Sequence, residues 1–155
     1  MIGLIILFLS AILQATLMVN LRLLYAVPDL LFISVIFYSL FKGKKRGAYF
    51  GMMAGFIKDI GSGSVFGINL FGFALCGYFL GNQYKRLYIE NRITHFAITF
   101  LCTLFVSCIN FLFTKLSFSE TAFFRYMFVF TLPYCAYTSL AAVLLSKSYL
   151  KLFRG

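Results

Sequence analysis

An all-α integral membrane protein, a compact bundle of about six transmembrane helices with both termini cytoplasmic, is the fold class this sequence predicts. Three observations predict it. Of the 155 residues, 62% are hydrophobic and 12% charged, and the mean hydropathy is +0.94, outside the soluble globular range. The apolar residues fall into six runs divided by short polar breaks. Ten of the fourteen Lys and Arg sit in three places: Lys42, Lys44, Lys45 and Arg46; Lys85, Arg86 and Arg92; and Lys147, Lys151 and Arg154.

That distribution explains the net charge of +10. Cytoplasmic loops carry an excess of Lys and Arg and face anionic lipid. With these clusters inside, Arg22, Lys58, Lys115 and Arg125 are left outside. A nucleic-acid surface would need the same charges on one solvated face among stacking aromatics, so no nucleic-acid partner is expected. Too few polar residues remain to coat a separate soluble unit, and residues 1–155 are expected to form a single membrane domain.

The first run, Ile2 to Val19, lacks the basic start and small-residue cleavage site of a signal peptide and is expected to remain as a span. The second, Pro28 to Phe41, opens with proline at the first helical position and Asp29 just behind it, a good helix start. With the third, Gly47 to Ile60, it is short: about 14 residues span ~21 Å against a ~30 Å hydrocarbon core. Extension into the flanking residues is expected, the alternative being a hairpin that does not fully cross. The fourth run is Val65 to Gly81, the fifth His95 to Thr114 and the sixth Arg125 to Ser146.

Gly47, Gly51 and Gly55 recur every four residues, as do Gly77 and Gly81. That spacing makes a bare helical face on which another helix can pack closely, within this bundle or from a partner. Between the third and fourth runs lies "FIKDIGSGSVFGINL", a polar insert in an apolar chain. It lacks the G-x-x-x-x-G-K-[ST] pattern of a phosphate loop, and its glycines and serines suit a tight reversal. Lys58 and Asp59 point about 100° apart on a helix and do not pair with each other. Asp59 is expected to accept backbone amides in the Gly61 to Val65 turn at the opening of the fourth helix.

No constellation supports catalysis or a cofactor. Asp29, Asp59, Glu90 and Glu120 form no acid pair at metal-binding or acid–base spacing. His95 stands alone at the start of the fifth run, and Cys76, Cys102, Cys108 and Cys135 read as small hydrophobes. Thr99, Thr103, Ser107 and Asn110 recur at spacings of three and four, a pattern that serves helix packing more often than a channel.

The stretch "PDLLFISVIFYSLFKGKKRGAYFGMMAGFIKDIGSGSVFGINLFGFALCGYFLG" resembles the rod shape-determining protein MreD family. It has a Pro-Asp-Leu-Leu start, a basic inner turn, a Gly-rich helix, D-x-x-S-G-S-x-x-G-x-N and a later G-Y-x-x-G. The positions carried are Pro28, Asp29, Asp59, Ser62, Gly63, Ser64, Gly67, Asn69, Gly77, Tyr78 and Gly81. Lys58 and Val65 depart from the pattern, where the family keeps an apolar residue and often a proline.

The resemblance implies a non-enzymatic scaffold of the cell-elongation machinery in the bacterial inner membrane. It implies MreC as partner, with MreB filaments, a RodA-type glycosyltransferase and a class B penicillin-binding protein engaged directly or through the complex. A second reading is the substrate-binding S component of an energy-coupling-factor vitamin transporter, with Ala11 and Ala15 as a docking face. It would need convergent polar groups beneath an outer lid, and the outer breaks of this chain are short and sparsely polar.

Overall fold

The computed structural model describes residues 2–20, 27–62, 66–83, 92–114 and 127–154. Among them are six α-helices: α1 (Ile2–Asn20), α2 (Leu30–Lys42), α3 (Lys44–Ser62), α4 (Ile68–Asn82), α5 (Arg92–Thr114) and α6 (Leu132–Arg154). A π-helical turn, Met127–Thr131, leads into α6, and no strand occurs among the described residues. Two helical segments, Arg92–Phe113 and Phe128–Tyr149, each 22 residues, are long and apolar enough to cross a membrane.

α2 is the centre of the bundle. Every residue from Leu30 to Phe37 is buried, together with Ser39 and Leu40, because α1, α3, α4 and α6 all pack against it. Leu31, Phe32, Val35 and Ile36 face a core shared with Leu7, Phe50, Ala54 and Phe73, and Leu30, Ile33 and Phe37 pack with Ala142 of α6. The Phe32 and Phe73 rings lie 4.6 Å apart.

The helix boundaries differ from the sequence expectation in ways with clear causes. Lys44, Lys45 and Arg46 are the first turn of α3 rather than a loop. Gly43 alone makes the reversal, at φ 83°, donating its N–H to the Ser39 carbonyl at 3.1 Å and accepting from Gly47 N–H at 2.8 Å. A positive φ of this kind is open to glycine without steric cost. At its far end α3 runs on through Gly61 and Ser62, so Lys58 and Asp59 lie inside the helix. With 19 residues it reaches about 28 Å, whereas α2 stays at 13 residues. Surrounded by protein, α2 has no lipid-facing length to match.

Pro28 also moves: the helix begins at Leu30, and Asp29 is its N-cap rather than a first-turn acid. The sixth run likewise extends as helix beyond Ser146, taking Lys147 and Lys151 with it.

α3 and α4 are antiparallel and touch backbone to backbone. A Cβ on Gly47 would come within 2.6 Å of the Gly77 carbonyl oxygen, one on Gly55 within 2.5 Å of that of Asn69, and one on Gly81 within 2.5 Å of Lys44 Cα. On Gly51 it would collide with the Phe73 carbonyl, and on Gly77 with that of Gly47. The two glycine series therefore face each other within the chain. Tyr78, one residue off this seam, is exposed.

Gly51→Val is expected to destabilise the bundle at or above the ~1–3 kcal/mol typical of overpacking, since the obstacle is backbone. Gly61→Ala, whose Cβ meets nothing within 4 Å, should be neutral or stabilising by up to about 1 kcal/mol. Thermal unfolding in mild detergent checks both, and equal tolerance at the two positions would remove the seam from the account of stability.

Candidate functional site

A group of buried polar residues converges inside the bundle at the end opposite Lys42, Lys44, Lys45 and Arg46, all four of which are exposed. Asp29, 1% exposed, holds three helices. Its Oδ1 accepts the Phe32 N–H at 3.1 Å, capping α2. Its Oδ2 accepts the Tyr134 hydroxyl of α6 at 2.7 Å and forms an ion pair with Lys58 of α3. Lys58 also donates to the Tyr134 oxygen at 3.2 Å. Its ammonium lies 5.0 Å from the centre of the Phe73 ring, on the electron-rich face that attracts cations.

Two further contacts bind α1 and α6 to the start of α2. Gln14 Oε1 accepts the Leu31 N–H at 3.1 Å, and the Thr138 hydroxyl lies 3.4 Å from Asp29 N. One turn along, a chain of hydroxyls joins the same helices: Ser10 to Ser34 at 2.7 Å and Ser34 to Tyr149 at 2.7 Å.

Asp59, 3% exposed, faces the other way, toward α4. Its carboxylate accepts the backbone N–H groups of Gly67 at 2.9 Å, Asn69 at 3.2 Å and Leu70 at 3.1 Å, and the Asn69 side-chain amide at 2.9 Å. These amides open α4, as the capping expectation requires; residues 63–65 of the Gly61 to Val65 turn lie outside the described residues. Gly67, at φ 99°, offers α4 no side-chain cap, so Asp59 supplies one from the neighbouring helix, where the dipole favours an anion. Asn69 in turn accepts from Asn110 Nδ2 of α5 at 3.2 Å.

The family-type positions thus divide. Asp29 and Pro28 lie at the start of α2; Asp59, Gly67 and Asn69 form the α3–α4 joint; Gly77 and Gly81 lie on the glycine seam; Ser62 is an exposed residue at the end of α3. Gly63, Ser64, Lys85 and Arg86 lie outside the described residues. His95 is buried in the first turn of α5, its ring 5.1 Å from that of Phe37. No group of three or more His, Cys, Asp or Glu among the described residues is placed to hold a metal.

Sequence reasoning missed that Lys58, noted as a departure from the family pattern, is the partner of Asp29. The signal was available: two opposite charges near the same end of adjacent apolar runs, each needing neutralisation away from water. Tyr134, Gln14 and Thr138 carried no such signal. Chemically, the arrangement binds helices to one another, with both carboxylates saturated by protein donors.

Comparison with known proteins adds one finding. The family described as rod shape-determining protein MreD matches residues 1–155, the whole chain. No curated protein and no solved structure matches.

Removing one member of the Asp29–Lys58 pair should be severe, since breaking a buried pair costs about 3–5 kcal/mol. Asp29→Asn and Lys58→Met are each expected to lower the unfolding temperature sharply, and the double variant by clearly less than their sum. A double-mutant cycle of thermal unfolding in detergent measures this, and strict additivity would show the pair to be uncoupled.

Proposed function

The chain belongs to the rod shape-determining protein MreD family, and from that premise we propose that it is a multi-pass, non-enzymatic scaffold of the bacterial cytoplasmic membrane. It binds MreC and helps link MreB filaments to a RodA-type glycosyltransferase and a class B penicillin-binding protein during peptidoglycan elongation. Rod-shape determination follows from the family; the partners and the multi-pass topology are our reading.

The observation that carries it is the match over the full length of the chain. Two features support the membrane part. Polarity is inverted relative to a water-soluble protein: Asp29, Asp59, Asn69 and Gln14 are buried, while Phe8, Leu101, Leu112 and Leu144 are between 66% and 77% exposed. The exposed cations Lys42, Lys44, Lys45 and Arg46 gather at one end of the bundle, which the positive-inside rule assigns to the cytoplasm. α1 begins and α6 ends toward that same end, as the approach of Gly3 to Tyr38 and of Tyr149 to Phe37 indicates, so both termini are read as cytoplasmic.

The glycine seam is occupied within the chain, so a partner helix has to meet another surface. The outward apolar faces of α1 and α5, with Ile5, Phe8, Ile12, Leu101, Phe105 and Leu112 exposed, are where that search belongs.

Affinity purification of the tagged chain from its native membranes in mild detergent is expected to recover MreC and elongation enzymes. Recovery instead of an ATPase module with a stoichiometric vitamin would replace this reading with the S-component alternative.

A further inference from the structure

A cavity of about 220 Å³ opens between α1 and α3, lined by Ala11, Gln14, Ala15, Leu31, Ile57, Lys58, Gly61 and Ser62. It adjoins the Asp29–Lys58 pair and shares Gln14, Leu31 and Lys58 with the contacts described above.

Two side chains give it a chemical character. Gln14, 7% exposed, uses its carbonyl oxygen on the Leu31 N–H, which fixes the amide orientation and leaves the NH₂ group as the end free to donate. That nitrogen has no partner among the described residues. Lys58 has three N–H donors, of which Asp29 and Tyr134 take two. Gln14 and Lys58 are therefore donors with capacity left, while the Asp29 carboxylate beside them already accepts from Phe32, Tyr134 and Lys58. Such a site selects an acceptor, and a phosphate group offers the densest set of acceptor oxygens.

Beyond these and the Ser62 hydroxyl at the end of α3, the wall is apolar: Ala11, Ala15, Leu31 and Ile57. At the mouth Ala15 is exposed, and Ile12, 60% exposed, continues the apolar surface outward along α1. A Cβ on Gly61 would meet nothing within 4 Å, so this side of the wall is unobstructed among the described residues. Donors at the inner end and an apolar track leading out suit a molecule with a phosphate head and hydrocarbon chains.

We propose that this cavity binds the phosphate-bearing head of a membrane glycerophospholipid, with Gln14 and Lys58 donating to the phosphate and the chains leaving over Ala15 and Ile12. The volume is several times the ~30 Å³ that a water molecule occupies, enough for a phosphate and the start of its glycerol ester. The proposal is independent of any protein partner, because it is read on the isolated chain.

The test is native mass spectrometry of the chain in non-ionic detergent, titrated with dihexanoyl phosphatidylglycerol or with inorganic phosphate. Wild type is expected to retain one lipid, with phosphate alone failing to displace it. Gln14→Glu keeps an acceptor for the Leu31 N–H while replacing the donors with a negative charge; Ala15→Phe blocks the mouth without touching the ion pair. Each is expected to weaken lipid retention about tenfold or more, the scale of losing a hydrogen bond to a charged group. A monodisperse gel-filtration profile verifies folding, and should Gln14→Glu misfold, Ala15→Phe decides alone. No lipid retained by wild type, or wild-type retention in a folded Ala15→Phe, would overturn the proposal. Displacement by phosphate at equal concentration would also overturn it, showing a free-anion site instead.

Discussion

The structure turns on a carboxylate that water cannot reach. An ionised Asp29 at 1% exposure is tolerated only when it is paired and its lone pairs are filled. Here the donors come from three helices: the Phe32 N–H of α2, the Lys58 ammonium of α3 and the Tyr134 hydroxyl of α6. Satisfying one side chain therefore fixes the meeting point of three elements. α1 is added two residues along, where Gln14 takes the Leu31 N–H. A buried pair of this kind is weak evidence for stability relative to an apolar alternative. Its consequence is register: any axial slip of α2 against α3 or α6 would leave a charge unpaired.

The neighbouring residue performs the complementary task. Successive side chains of a helix diverge by about 100°, so Lys58 and Asp59 address different neighbours of α3. Lys58 reaches α2 and α6, while Asp59 gathers the amides that open α4 and, through Asn69, reaches α5. The reach of a short aspartate across two helices depends on how near their backbones lie, and the opposed glycines on α3 and α4 set that distance. Sequence placed the glycines for packing and the acid for capping; the fold makes each a condition of the other.

What could be read in advance follows the physics of each signal. Hydropathy and the basic breaks pointed to a helical bundle, and a bare face at a spacing of four was legible at Gly47, Gly51 and Gly55. Boundaries were harder. Gly43 compresses the α2–α3 connection to a single residue, so the basic cluster reads as a loop while folding as helix. The polar composition of residues 58–62 suggests a turn, yet α3 continues because Lys58 and Asp59 each find a buried partner. Tyr134 and Gln14 were invisible, since a tyrosine or glutamine in an apolar run gives no indication of a carboxylate or backbone amide supplied by another helix.

The inverted polarity constrains how such a bundle recognises anything else. Because Asp29, Asp59, Asn69 and Gln14 are turned inward, the outward faces of α1, α5 and α6 are nearly uniform in Leu, Ile and Phe. Between such surfaces in a membrane there is no hydrophobic gain to distinguish partner from lipid, and association rests on shape and van der Waals fit. Shape discriminates only when the helix presenting it is held still. The interior ion pair and the Asp59 cap supply that rigidity, tying α3 and α6 to Asp29 and, through Asn69, α5 to Asp59, while Gln14 fixes α1 to the Leu31 N–H. A partner reading this surface would meet an apolar contour held in place by buried charges it does not touch, a contour that composition alone could not make specific.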